Sequence, residues 1–369
     1  MRRAGRLLAG MLLALAAIGG AARAETRILK DIVGRNVTLP RAAQRIVLAE
    51  GRQLFALSLI HPDPVSLVAG WLGDLRRNDS STYALFRRKF PAIDAIPLVG
   101  AGTETAISAE RIIGLKPDLV VLGIAVVPGG ASSDIARQLD AAGIPFVFTD
   151  FFIDPFVNTL PSMRILGEAI GREREAEAFA AFYRQHMAAI ASRLNGRSPQ
   201  PTLLVEAHAG MSGCCFSPGR GNIGRFIAFA GGRSIAADVL PGPTGQLNME
   251  YVIAKDPEVY IATGGPHLEK SGGLVIGPGY DEAAIRGRLA ELTRRPGFAN
   301  LSAVRQGRVH GLFHNLLTTP LNFLATELIG KWLYPAEFQD ADPARTKAEL
   351  NARFLAVPLQ GTYWVNLNE

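Results

Sequence analysis

A chain of 369 residues, 48% of them hydrophobic, is too long for one ordinary core and suits two domains. Its formal charge of +6 falls to +2 without Arg2, Arg3, Arg6 and Arg23, and no Lys/Arg run then remains to suggest nucleic acid. Beyond residue 24 no stretch reaches transmembrane length, and no tract is of low complexity.

The first element is a processing signal. Arg2, Arg3 and Arg6 precede an apolar core at 7–18, shorter than the roughly 20 residues of a membrane span, and Ala22-Arg23-Ala24 is an A-x-A cleavage site. Residues 1–24 read as a cleaved signal peptide and the remainder as a soluble periplasmic protein. No Cys follows the signal to carry a lipid anchor.

Short apolar strands then alternate with helical patterns: strands at 45–49, 65–69, 98–100, 119–122 and 145–149, with helices over 54–60 and 135–142. This is the pattern of a mostly parallel α/β sheet, in which ligands sit outside the carboxyl ends of the strands. Those ends are Glu50-Gly51-Arg52, Gly70-Trp71, Gly100-Ala101-Gly102-Thr103 and 123–130. Arg52 offers a guanidinium to an anion and Trp71 a flat wall to an aromatic ligand. The charged stretch 72–90 reads as a solvated helical insertion rather than a site.

From Glu173 to Asn195, apolar or small residues at Ala176, Phe179, Ala180, Tyr183, Met187, Ile190, Ala191 and Leu194 hold i, i+3, i+4, i+7 spacing. Asn195-Gly196 and Pro199 form a helix stop. The helix, roughly 34 Å long at ~1.5 Å per residue, reads as a strut between lobes. On either side of it the chain repeats itself. Glu110 stands seven residues before Pro117-Asp118, and Glu250 seven before Pro257-Glu258, each with a polar helix start before and an apolar strand after.

The second lobe has strands at 202–206 and 258–263, a loop at 207–222 with His208, Cys214, Cys215 and Arg220, and closing helices at 322–333 and 345–354. Gly219-Arg220-Gly221-Asn222-Ile223-Gly224 satisfies G-x-G-x-x-G but lies some twelve residues past its strand. Its glycines before a helix suit an anion, with Arg220 adding charge. Cys214 and Cys215 are the only cysteines, either a vicinal disulfide or two packed thiols. His310 and His314 have metal-ligand spacing but no neighbouring acid of the H-E-x-x-H kind, so no metal site is assigned; His314, at a strand-end loop, is a ligand candidate.

Signal, lobe, strut, lobe and the phrase E-x-I-x-x-L-x-P-D at 110–118, echoed from Glu250, resemble the helical-backbone periplasmic binding proteins of ABC importers, in the branch for ferric siderophores, haem and cobalamin. The resemblance spans about 46–334. It implies two α/β lobes joined by one long helix: residues 25–155, connecting helices 156–198, and 199–369. It implies a monomeric receptor, without catalysis or cofactor, that binds an iron chelate between the lobes and delivers it to an ABC permease. It also implies that Glu110 and Glu250 dock on permease arginines. An anionic ferric chelate would suit Arg52, Arg220 and Arg225, with Trp71 and Tyr280 as aromatic walls; haem or cobalamin is the alternative cargo, with His208, His267, His314 and Tyr280 as axial candidates. Bare Zn²⁺ or Mn²⁺, or an exported hydrolase or thiol enzyme, are the rival classes.

Overall fold

The computed structural model describes residues 26–100, 107–127, 129–194 and 199–368. The signal region, the loop at 101–103, Pro128 and the Asn195-Gly196 stop lie outside the described residues. Among those described, no helix is long and apolar enough to cross a membrane.

An antiparallel hairpin of β1 (Arg27–Lys30) and β2 (Asn36–Leu39) leads into β3 (Ile46–Leu48), β4 (Val68–Trp71), β5 (Leu119–Gly123) and β6 (Phe146–Thr149). The last four form one sheet in the order β4-β3-β5-β6, parallel throughout. All residues of β3, β5 and β6 are buried, as expected of a parallel sheet covered on both faces. The expected strand at 65–69 is instead a 3-10 turn, Val65–Leu67, feeding β4, and the one at 98–100 is reduced to a bridge between Leu98 and Trp71.

In the second lobe β7 (Thr202–Glu206), β8 (Phe216–Pro218), β9 (Arg233–Ser234), β10 (Thr244–Gln246), β11 (Val259–Gly264), β12 (Val309–Phe313) and β13 (Trp364–Asn366) follow. The sheet order is β13-β12-β11-β7-β9, parallel except for the edge strand β13. β8 and β10 form a separate antiparallel ribbon.

The strut is a helix from Glu173 to Leu194 that buries Ala176, Phe179, Ala180, Phe182, Tyr183, Met187 and Ile190. Its aromatic face meets Phe323 on helix Asn322–Leu333 and Phe354 beyond helix Pro343–Arg353. A buried hydrogen-bond chain crosses the core behind it: Tyr183 donates to Asn322 at 2.8 Å, and Asn322 donates to Thr159 of helix Pro155–Ile170 at 2.9 Å. Strut, lobe-two helix and lobe-one helix are thereby fixed to one another.

The strut is not the sole tie. Ala356 N–H donates to Ser58 C=O across the lobes at 2.8 Å, Lys89 donates to the Ala356 carbonyl, and Asn222 N–H donates to Ile153 C=O at 3.2 Å.

The two echoing segments are equivalent in three dimensions. Helix Ala109–Leu115 is capped by Ser108, whose hydroxyl accepts from Arg111 N–H at 3.2 Å; helix Met249–Lys255 is capped by Asn248, whose carbonyl accepts from Tyr251 N–H at 2.7 Å. Both end on a non-glycine residue of left-handed conformation, Lys116 (φ 47°) and Asp256 (φ 40°).

Candidate functional site

The carboxyl ends of both sheets face a cavity of about 360 Å³ between the lobes. Lobe one contributes Gly51 and Arg52 after β3, Phe152 after β6, and Asp74, Leu75, Asn78 and Asp79 from two short helices, Asp74–Asn78 and Ser80–Lys89. Lobe two contributes His208 and Met211 after β7, His267 after β11, and His314, Asn315 and Thr318 after β12. The stretch expected to be solvated thus supplies part of the cavity wall. Asp79 caps the second of these helices and bonds to Asn315 across the cavity, so the insertion is clamped to lobe two rather than left in water.

Arg52 lies over the Phe152 ring, 4.8 Å from its centroid, with its Nε 2.8 Å from Glu50 Oε2. That oxygen receives no well-directed hydrogen bond, so the charge of Arg52 is its main compensation. Glu50 is held tightly from the other side: a Cβ on Gly123 would fall 1.2 Å from its Oε1. Burial raises the Glu50 pKa, and the neighbouring Arg52 charge partly opposes the shift.

Three imidazoles form the lobe-two wall. His208 and His267 share a hydrogen bond of 2.8 Å, the His208 and His314 ring centroids are 4.1 Å apart, and His314 Nδ1 bonds Thr263 Oγ1 at 2.9 Å. Thr263 Oγ1 also accepts from His208 N–H, and Glu206 accepts from Gly210 N–H in the same loop. Glu206 is itself fixed by Arg295 and by Tyr260 Oη, at 2.8 and 2.6 Å.

Burial lowers the pKa of all three imidazoles: His208 to about 4, with help from His267; His267; and His314 well down, with contributions from His208, His267 and Arg52. At neutral pH they are uncharged and carry nitrogen lone pairs. Among the described residues no group of three or more His, Cys, Asp or Glu is disposed to hold a metal ion by itself.

Of the residues singled out in the sequence, Arg52, His208, His267 and His314 line the cavity. The others do not. Trp71 is 2% exposed and packs against Tyr83 inside lobe one, because β4 runs two residues further than its apolar pattern suggests and turns the indole into the core. Cys214 and Cys215 are disulfide-bonded to each other beside the β8–β10 ribbon, where Cys215 exchanges both main-chain bonds with Leu247. Arg220 donates to the Ala237 carbonyl, and the helix after the glycines, Gly224–Phe229, is too short to act as an anion site. Arg225 pairs with Asp154 at 2.5 Å and is a tie between lobes. Tyr280 is half-buried against the lobe-two core. Glu110 and Glu250 are exposed in the first turns of their helices.

Phe152 and Asn315 follow strand ends, so the rule that selected Arg52 reaches them too. Asp74 to Asp79 carries no such signal.

A family model described as periplasmic binding protein matches residues 75–314. Vitamin B12-binding proteins of Yersinia pestis (strain Pestoides F) and Yersinia pseudotuberculosis serotype O:1b (strain IP 31758) are 29% identical over 160 residues, 43% of this chain and 53% of theirs. The chain thus spans about half the length of the curated relatives it matches. Among solved structures, the TroA-like periplasmic binding protein FepB from Veillonella parvula has a TM-score of 0.84 and 26% identity, covering 93% of this chain and 100% of that one. A periplasmic heme binding protein from Pseudomonas aeruginosa shares the fold at a TM-score of 0.55 and 22% identity, over 80% of this chain and 94% of that one.

Proposed function

The chain belongs to the periplasmic binding protein family, and from that premise we propose that it captures an iron chelate of the ferric-siderophore type between its lobes and hands it to an ABC permease. The observation that carries this reading is the wall of three uncharged imidazoles facing one guanidinium across a cavity of about 360 Å³. Imidazole nitrogen is a competent donor to iron, and Arg52 supplies charge to an anionic chelate. The imidazoles are hydrogen-bonded to one another and to Thr263 rather than splayed around a point, which suits a metal that arrives with donors of its own. The two exposed carboxylates, Glu110 and Glu250, dock the loaded receptor on cationic side chains of the permease.

A second reading, haem or cobalamin, has a specific observation in its favour: the same imidazoles offer axial nitrogens.

The test is calorimetric titration of the stripped protein with ferric hydroxamates, catecholates and carboxylates, haem, cobalamin, Zn²⁺ and Mn²⁺. Saturable sub-micromolar binding of one ferric chelate, lost without iron, is the expected result. Preference for haem or cobalamin installs the second reading, and tight binding of a bare cation overturns both.

A further inference from the structure

The two echoing helices share more than their carboxylates. In each, the residue two after the glutamate is buried, Ile112 and Val252 at 0% exposure, while the residue three after it is a large apolar side chain left in solvent, Ile113 at 37% and Ile253 at 46%. The next position is small and exposed in both, Gly114 and Ala254. Spacing of i, i+3 and i+4 sets carboxylate, isoleucine and small residue on one helix face. The two helices therefore present the same outward code, once per lobe.

Among the described residues neither Glu110 nor Glu250 makes an ion pair, although exposed arginines are plentiful, while many other surface carboxylates of the chain are paired. Gly297 leaves room for the second isoleucine: a Cβ there would fall 2.8 Å from Ile253 Cδ1. A single exposed isoleucine on a surface is ordinary. The same residue type, at the same offset from an unpaired carboxylate, on both members of a repeat, forms a duplicated epitope.

We infer that Ile113 and Ile253 are docking residues, and that the partner presents twice, once to each lobe, a cationic side chain beside a shallow apolar socket. The inference rests on the permease-docking reading of Glu110 and Glu250 and extends it. The carboxylates steer the encounter and the isoleucines, desolvated in the sockets, hold the complex. Small residues at 114 and 254 let the partner surface approach the helix.

The test uses the full exported chain, immobilised, with the permease of its own import system in nanodiscs as the flowing partner and empty nanodiscs as control. The paired variant Ile113→Ser/Ile253→Ser is expected to raise the dissociation rate by about fivefold per isoleucine, the worth of the apolar area still exposed, while the association rate stays within about twofold. The pair Glu110→Gln/Glu250→Gln is expected to slow association and flatten its salt dependence. Circular dichroism melts establish that each variant is folded. If the glutamine pair weakens docking and the serine pair leaves the dissociation rate unchanged, the isoleucine inference is overturned and the docking reading stands. If both pairs bind as the parent does, the docking reading falls with it. Equal binding to empty nanodiscs overturns the inference in favour of a lipid surface.

Discussion

Asn315 of lobe two donates its side-chain N–H to the Asp79 carboxylate of lobe one at 2.8 Å. Asp79 also accepts from Thr82 N–H and Ser81 Oγ, so one buried carboxylate caps a helix and fastens the two lobes beside the cavity. Burial raises its pKa against the pull of these hydrogen bonds.

Asn315→Ala removes one donor and leaves part of that carboxylate unpaired and buried. The expected loss is about 1–3 kcal/mol of unfolding free energy, with faster ligand release because the insertion is freed from lobe two. Urea denaturation reads the first and stopped-flow release the second. An unchanged denaturation midpoint would show that the bond contributes nothing.

Gly123→Ala tests how Arg52 is placed. The added methyl would meet Glu50 Oε1 and the rest of that side chain, so Glu50 must move and Arg52 with it. Ligand affinity is expected to fall by at least about tenfold, on the order of 1.4 kcal/mol, in calorimetric titration. Retained affinity would mean that the Glu50–Arg52 pair does not set the cavity wall.

Arg52→Met leaves the Glu50 charge buried without its cation, a change that costs about 3 kcal/mol when a buried pair is broken. Removing the cation raises the Glu50 pKa further, so the deficit is largest at high pH and shrinks as acid protonates the carboxylate. Melting temperatures of variant and parent, compared between pH 5 and pH 8, should converge toward the acid end. A gap that widens in acid contradicts the assignment.

The buried imidazoles set the acid limit. The folded-state pKa of His208 and of His310 is lowered to about 4, by burial in both cases. Below the unfolded value of about 6.5 the unfolded chain binds protons that the folded chain refuses, so stability falls as pH drops from about 6.5 toward 4. Each group contributes up to about 3 kcal/mol to that loss. The raised carboxylates Glu50 and Asp79 act in the opposite sense over the acid part of this range. His208→Gln should flatten the decline of urea midpoint with acid. An unaltered slope would mean that His208 titrates normally.

With the strut, the Asp79–Asn315 bond and the Ala356–Ser58 contact all joining the lobes, ligand entry should change the shape of the molecule little. Small-angle scattering of free and loaded protein is expected to superpose. A large domain rotation would break this expectation.

The sequence by itself determined the architecture. Five turns of helical spacing ending in Leu194 dictated the strut, and unbroken apolar runs such as 119–122 dictated buried parallel strands, because period and hydrophobicity are local properties. The repeat around Glu110 and Glu250 was legible for the same reason. The strand-end rule found Arg52, His208 and His314, since a parallel sheet sends those loops to one side whatever its neighbours. Trp71 met the same rule and was turned into the core against Tyr83, while Arg220 and Arg225, chosen as cations for an anion, are taken up by the Ala237 carbonyl and the Asp154 carboxylate. Only tertiary structure decided that Asp74 to Asp79 close the cavity, that His267 meets His208, and that Ile113 and Ile253 stay in solvent. The first depends on how one lobe comes to rest against the other, and the other two on how loops and helices pack within a lobe; long-range packing of either kind leaves no mark on local spacing.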